Sequence, residues 1–180
     1  TIAYSLFTIH YSPNKMSLQQ KLTGTGIAII TPFTSNGDFD WVALETLINF
    51  WIDNKIEYLV VAGTTGESAT LTREEEQELV NFVKEKANGR VPLVAGIGGN
   101  DTREVVEAFK TMQLDGYDAI LSVAPYYNKP GQEGLYQHYK TINDVAPLPI
   151  IMYNVPGRTG QSVSAETTVR IANDCKNIIA

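Results

Sequence analysis

Hydrophobic positions along the chain follow two alternating patterns. Short, mostly apolar runs occupy residues 26–31 (Gly-Ile-Ala-Ile-Ile-Thr), 58–62 (Tyr-Leu-Val-Val-Ala), 92–97, 118–124 and 149–152, and 58–62 shows no polar alternation at all. Runs of this kind predict strands buried on both faces, as in a parallel sheet. Between them, apolar residues recur at helical spacing. Trp41, Leu44, Leu47, Ile48, Trp51 and Ile52 form one such stripe behind Asp40, a side chain suited to cap a helix. Leu79, Val80 and Val83 follow the capping box Thr72-Arg73-Glu74-Glu75, in a helix predicted to run to Ala87 and to end at Asn88-Gly89. Val105, Val106, Phe109 and Met112 mark a helix over 102–114, broken by Asp115-Gly116. Further helices are predicted over 132–145 and from Ser164 to about Asn173. Asn177-Ile178-Ile179-Ala180 reads as the opening of a sixth strand.

Strand, loop, helix and turn thus repeat every ~30 residues, which argues for a parallel α/β fold. An eight-fold (β/α) barrel uses ~250 residues. The expectation is therefore a TIM (β/α)8 barrel, incomplete here, with about five βα units and the start of strand six. A doubly wound open sheet is the alternative. It would carry a glycine-rich turn after strand one and an acid ~20 residues on, and Thr31-Pro32-Phe33 is not that turn. Residues 16–180 are expected to form the N-terminal portion of the barrel, with Met16 as the native start. Residues 1–15 are expected to be a non-native or disordered extension.

Composition narrows the function classes. The chain has 180 residues, 43% apolar and 19% charged, which is globular. Its net charge of −6 argues against nucleic acid or an anionic membrane surface as partner. No apolar run approaches the ~18 residues of a membrane span, and the stretch Ile2 to Ile9 lacks the basic start of a signal peptide. The single cysteine, Cys175, excludes a disulfide framework and fits a reducing cytoplasm. His10 and His138 have no metal-ligand spacing. The run Glu74-Glu75-Glu76 reads as a solvated first helical turn. No metal and no cofactor are expected.

Candidate chemistry collects at the ends of the predicted strands, where barrels carry their sites. Strand two exits into Gly63-Thr64-Thr65-Gly66-Glu67-Ser68. Such a loop offers backbone N–H groups and hydroxyls to a small anion such as a carboxylate. It has no lysine before its last hydroxyl, so it is not a phosphate loop. By itself it is better explained as a capped strand-to-helix turn. Strand three ends in Gly98-Gly99-Asn100, strand four in Tyr126 and Tyr127, and strand five in Tyr153 with Arg158 five residues on. Gly157-Arg158-Thr159-Gly160 leaves the guanidinium room for a bidentate grip on a carboxylate. Singly, these are turn threonines, packing tyrosines and a surface charge. Together, hydroxyl donors, a phenol able to relay protons and a carboxylate clamp describe a site for carboxylated carbonyl compounds.

Gly63-Thr64-Thr65-Gly66-Glu67-Ser68, Pro125-Tyr126-Tyr127-Asn128-Lys129-Pro130 and Tyr153-Asn154-Val155-Pro156-Gly157-Arg158-Thr159 strongly resemble the dihydrodipicolinate synthase family, from about Leu22 to Ala180. Related pyruvate aldolases, such as N-acetylneuraminate lyase and 2-keto-3-deoxy sugar acid aldolases, share the scaffold and stand as the alternative, together with a non-catalytic metabolite-binding relative. The resemblance implies that pyruvate forms a Schiff base with a lysine and that its enamine attacks L-aspartate 4-semialdehyde, in lysine and diaminopimelate synthesis. It implies a proton relay of Thr64, Tyr153 and Tyr127, the last reaching into a neighbouring subunit. Gly63 and Thr65 would bind pyruvate, and Arg158 the semialdehyde carboxylate. It further implies a homotetramer built as a dimer of dimers, and a helical domain after the barrel.

None of the nine lysines ends an apolar strand. In the family the reacting lysine follows a segment like Asn177-Ile178-Ile179-Ala180 within a couple of residues. The chain is therefore expected to be a piece of an enzyme, inactive alone. Ser68, Ala69, Asn100, Glu104 and Tyr126 match an interface site for the effector L-lysine. Arg73 and Glu76 stand where some inhibited enzymes have histidines, so an altered lysine response is expected.

Overall fold

The structure, a computed structural model, describes residues 17–180. The reading of residues 1–15 lies outside the described residues. Five parallel strands lie side by side in chain order: β1 (Gly26–Ala28), β2 (Tyr58–Val61), β3 (Leu93–Gly96), β4 (Ala119–Val123) and β5 (Ile150–Tyr153). Each connection carries at least one helix: α2 (Trp41–Asp53), α3 (Arg73–Ala87), α4 (Thr102–Thr111) and α5 (Gln132–Asn143). After β5 come α6 (Pro156–Thr159) and α7 (Ala165–Asp174), and a short helix, α1 (Leu18–Lys21), precedes β1. The predicted sixth strand takes its place at the far edge. Ile178 bridges Ile150 in parallel, and the N–H groups of Ile150 and Met152 donate to the carbonyls of Asn177 and Ala180 at 2.7 and 2.8 Å.

Local chemistry sets the helix starts. The Asp40 carboxylate accepts from the Ala43 N–H, and Thr72 and Glu75 close a reciprocal capping box on α3. Asn88 ends α3 in the left-handed conformation, φ 47°, which asparagine tolerates. Strand alternation then sorts the apolar side chains into two layers. Leu59, Val61, Leu93, Ala95, Ile120 and Ile150 pack outward against the buried stripes of the helices. Val60, Val94 and Ala119 form a smaller inner cluster with Tyr58, Leu121 and Ile151.

Some boundaries differ from the sequence reading. β1 stops at Ala28, three residues early, although the Ile29 N–H still donates to Val60. α4 ends at Thr111 because Met112 turns extended, ψ 136°, to bury itself. α5 ends at Asn143. Two short helices were not anticipated. α1, closed by a capping box of Ser17 and Gln20, lays Leu18 and Leu22 against the inner cluster, and Lys21 reaches Asp118 just before β4. α6 begins on Pro156, whose fixed φ suits a first helical turn.

His138 is buried on α5, and its Nδ1 lies 2.8 Å from the Thr102 hydroxyl at the start of α4. Its Nε2 has no partner among the described residues. Burial pulls the imidazole pKa down to about 4. Cys175 is a buried core residue at the end of α7.

Candidate functional site

A cavity of about 250 Å³ opens at the C-terminal ends of β2 to β5. Two of its lining residues, Gly96 and Gly98, leave no room for a side chain. A side chain at Gly96 would collide with the Ala62 carbonyl, and one at Gly98 would meet the Val123 backbone nitrogen at 2.9 Å. Ala62 sits at φ 55°, a conformation an L-residue adopts only under constraint and one that collects at functional sites.

The loop after β2 turns its own N–H groups inward. Gly66 and Ser68 donate to the Gly63 carbonyl at 3.0 and 3.4 Å, and Glu67 to Thr64 at 3.1 Å. Gly66 is also held from outside, by the buried Thr31 hydroxyl, which donates to its carbonyl at 2.7 Å. The N–H groups of Thr64 and Thr65 engage no acceptor among the described residues. Two adjacent unspent donors beside hydroxyls suit a carboxylate.

The cavity brings together Gly63, Thr64, Ser68, Ala69, Tyr126, Tyr153 and Arg158. Thr65, Asn100, Glu104 and Tyr127 lie outside its lining. Thr65 is exposed next to Thr64. The Asn100 carbonyl is engaged by the Asn128 amide at 3.1 Å. Glu104 is exposed on the first turn of α4. Tyr127 is 87% exposed, at φ 67°, so it projects away from the cavity of its own chain.

Arg158 belongs to a turn stitched to its neighbours. Thr159 is buried and donates to the Gln161 carbonyl at 2.6 Å. Gln161 donates to Pro125 at 3.3 Å. Gln132 donates to Ser162 at 2.9 Å and accepts from the Ser164 N–H at 2.9 Å.

Glu76 corrects the reading of 74–76 as a solvated turn. It lines the cavity, pairs with Arg73 and is half-buried. Burial raises its carboxyl pKa, opposed by the Arg73 charge. The missed signal was periodicity: Glu76 shares the face of Leu79, Val80 and Val83. Thr31, Gln132 and Gln161 left no comparable local trace. None of the lining residues is a lysine. Among the described residues no group of acidic, histidine and cysteine side chains could hold a metal, and no helix is long and apolar enough to cross a membrane.

Parallel strands alternating with helices, with a hydroxyl- and guanidinium-lined cavity at the strands' C-terminal ends, define part of a (β/α)8 barrel with a candidate small-molecule site. The family profile of the dihydrodipicolinate synthetase family matches residues 21–180, and the chain belongs to that family. A 4-hydroxy-tetrahydrodipicolinate synthase from Parabacteroides distasonis is 54% identical over 159 residues, 88% of this chain and 54% of that protein. Among solved structures, the chloride-inhibited dihydrodipicolinate synthase from Acinetobacter baumannii, complexed with pyruvate, superposes with a TM-score of 0.83 at 47% identity. It covers 87% of this chain and 53% of that one. The enzyme from Cyanidioschyzon merolae with lysine bound gives 0.81 at 44% identity, covering 87% and 54%. The chain spans about half the length of the curated relatives it matches.

Proposed function

We propose that the chain supplies the carboxylate cradle and proton-relay side of a 4-hydroxy-tetrahydrodipicolinate synthase. The reaction would condense pyruvate, held as a lysine Schiff base, with L-aspartate 4-semialdehyde. The observation that carries this reading is the convergence of Thr64, Tyr153 and Arg158 on one cavity, in a chain 54% identical to a synthase. Thr64 and Thr65 would hold the pyruvate carboxylate through their free N–H groups and hydroxyls. Tyr153 would pass protons through Thr64, and Arg158 would grip the semialdehyde carboxylate. The exposed, strained Tyr127 fits a role across a subunit boundary, in a cytoplasmic homotetramer assembled as a dimer of dimers.

No lysine lines the cavity, so the amine is expected from sequence that follows residue 180 in a polypeptide of the relatives' length. Ser68, Ala69 and Tyr126 line the cavity together with Glu76, and with Asn100 and Glu104 they would form an L-lysine effector site. The Arg73–Glu76 pair would alter that response. Borohydride reduction with pyruvate tests the central reading. A polypeptide of the relatives' length should gain the mass of one reduced pyruvate, and the 180-residue chain should gain none. Turnover of pyruvate with sugar-derived aldehydes in preference to aspartate semialdehyde would overturn the assignment in favour of another aldolase.

A further inference from the structure

Thr31 is a buried polar residue at the exit of the first strand, 4% exposed, and Pro32 follows it. Its hydroxyl donates to the Gly66 carbonyl, 35 residues away, at 2.7 Å. We propose that Thr31 is a positioning residue for the anion cradle, fixing the direction in which the Thr64 and Thr65 donors point by holding the Gly66 carbonyl. This rests on the reading of the 63–68 loop as the pyruvate-carboxylate cradle.

The carbonyls of Gly63, Thr64 and Glu67 are satisfied from within. Gly63 accepts from Gly66 and Ser68, Thr64 from Glu67, and Glu67 from both the N–H and the hydroxyl of Thr70. The Gly66 carbonyl alone among these is met from outside the loop, by the segment that follows β1. Gly66 is itself packed tightly. A Cβ there would come within 3.1 Å of the Ile29 carbonyl and 3.3 Å of the Thr31 hydroxyl. Glu67, next in the chain, is held at φ 58°. The Gly66–Glu67 peptide therefore depends on one outside donor to keep its carbonyl turned toward β1. Without that donor a buried carbonyl faces a methyl group, and the peptide gains by rotating. Rotation breaks the Glu67-to-Thr64 bond that sets the angle of the Thr64 peptide, so the cradle's donors turn with it.

Valine has nearly the shape of threonine, so T31V deletes the hydroxyl and keeps the packing. The test uses T31V and T31S in a polypeptide of the relatives' length, with initial rates against each substrate. T31V is expected to raise the pyruvate KM about 10- to 100-fold, leaving kcat and the semialdehyde KM within about three-fold, because cradle contacts act on bound pyruvate throughout. T31S restores the hydroxyl and is expected within about three-fold of wild type. An unchanged pyruvate KM in T31V, equal rises for both substrates, or a T31S defect matching T31V would overturn the proposal. If T31V does not fold, T31A replaces it. Failure of both to fold, with T31S folded, would assign Thr31 to stability alone and also overturn it. A wild-type enzyme that does not turn over pyruvate would refute the proposed function instead.

Discussion

His138 makes stability depend on pH in a window that can be stated in advance. Its imidazole is buried, with Nδ1 on the Thr102 hydroxyl and Nε2 facing no partner among the described residues. Protonation would place a charge and a second N–H where only one acceptor is at hand. Burial accordingly lowers the pKa from 6.5 to about 4. The folded pKa lies below the unfolded value, so between them the unfolded chain binds a proton that the folded chain refuses. Stability is full above pH 6.5 and falls as the pH drops toward 4. The slope is about 1.4 kcal/mol per pH unit inside the window, for a total of about 3 kcal/mol. Denaturant unfolding at pH 7, 6, 5 and 4 of wild type and H138Q isolates the effect, because the carboxylates common to both cancel in the difference. The wild-type advantage should shrink steadily as the pH falls. Parallel curves for the two proteins, or a His138 imidazole NMR signal (the one lost in H138Q) titrating above pH 6, would refute the burial argument.

Other changes have equally definite expectations. Thr72→Ala opens the reciprocal cap of α3 and should cost about 1 kcal/mol in a chemical melt. Gly96→Ala drives a methyl group into the Ala62 carbonyl. It should destabilise by about 1–3 kcal/mol and weaken pyruvate binding measured by calorimetry. Arg158→Ala removes a cation from the cavity lining. A lost charge-assisted contact of about 1.5–3 kcal/mol should appear as a rise in the semialdehyde KM with the pyruvate KM unmoved. Tyr153→Phe keeps the ring and deletes the phenol, so kcat should fall roughly 100- to 10,000-fold while the borohydride-trapped pyruvate adduct still forms.

Much of this architecture was legible because it is written in neighbouring residues. Asp40, Thr72 with Glu75, Asn88 and Ser164 act within a turn of where they stand, and each helix end they predicted is present. Apolar runs marked the strands because both faces are buried. The errors share a different origin. α1 has four residues, too few for a period to show, and Leu18 and Leu22 acquire a role only against an inner face made from later strands. β1 was read too long because hydrophobicity continues past the point where pairing stops. The strand-end rule collected Thr64, Tyr126, Tyr153 and Arg158 without any knowledge of their contacts. It missed Thr31, because a contact spanning 35 residues leaves no mark on its own neighbourhood. Glu76 was readable from its helical phase, but its two acidic neighbours suggested solvent.

The stitched rim has a mechanical consequence. Gln161 ties the Arg158 turn to Pro125, and Asn128 ties the same β4 exit to Asn100. The stem of Lys129 lies so close to Gly160 that a side chain there would displace it. Three successive strand exits are therefore tied into one plate, not left as three separate fingers. Tyr127 is the handle of that plate, standing almost wholly clear of its own chain. From it a hydrogen-bonded route runs through Pro125 and Gln161 to the turn that carries Arg158.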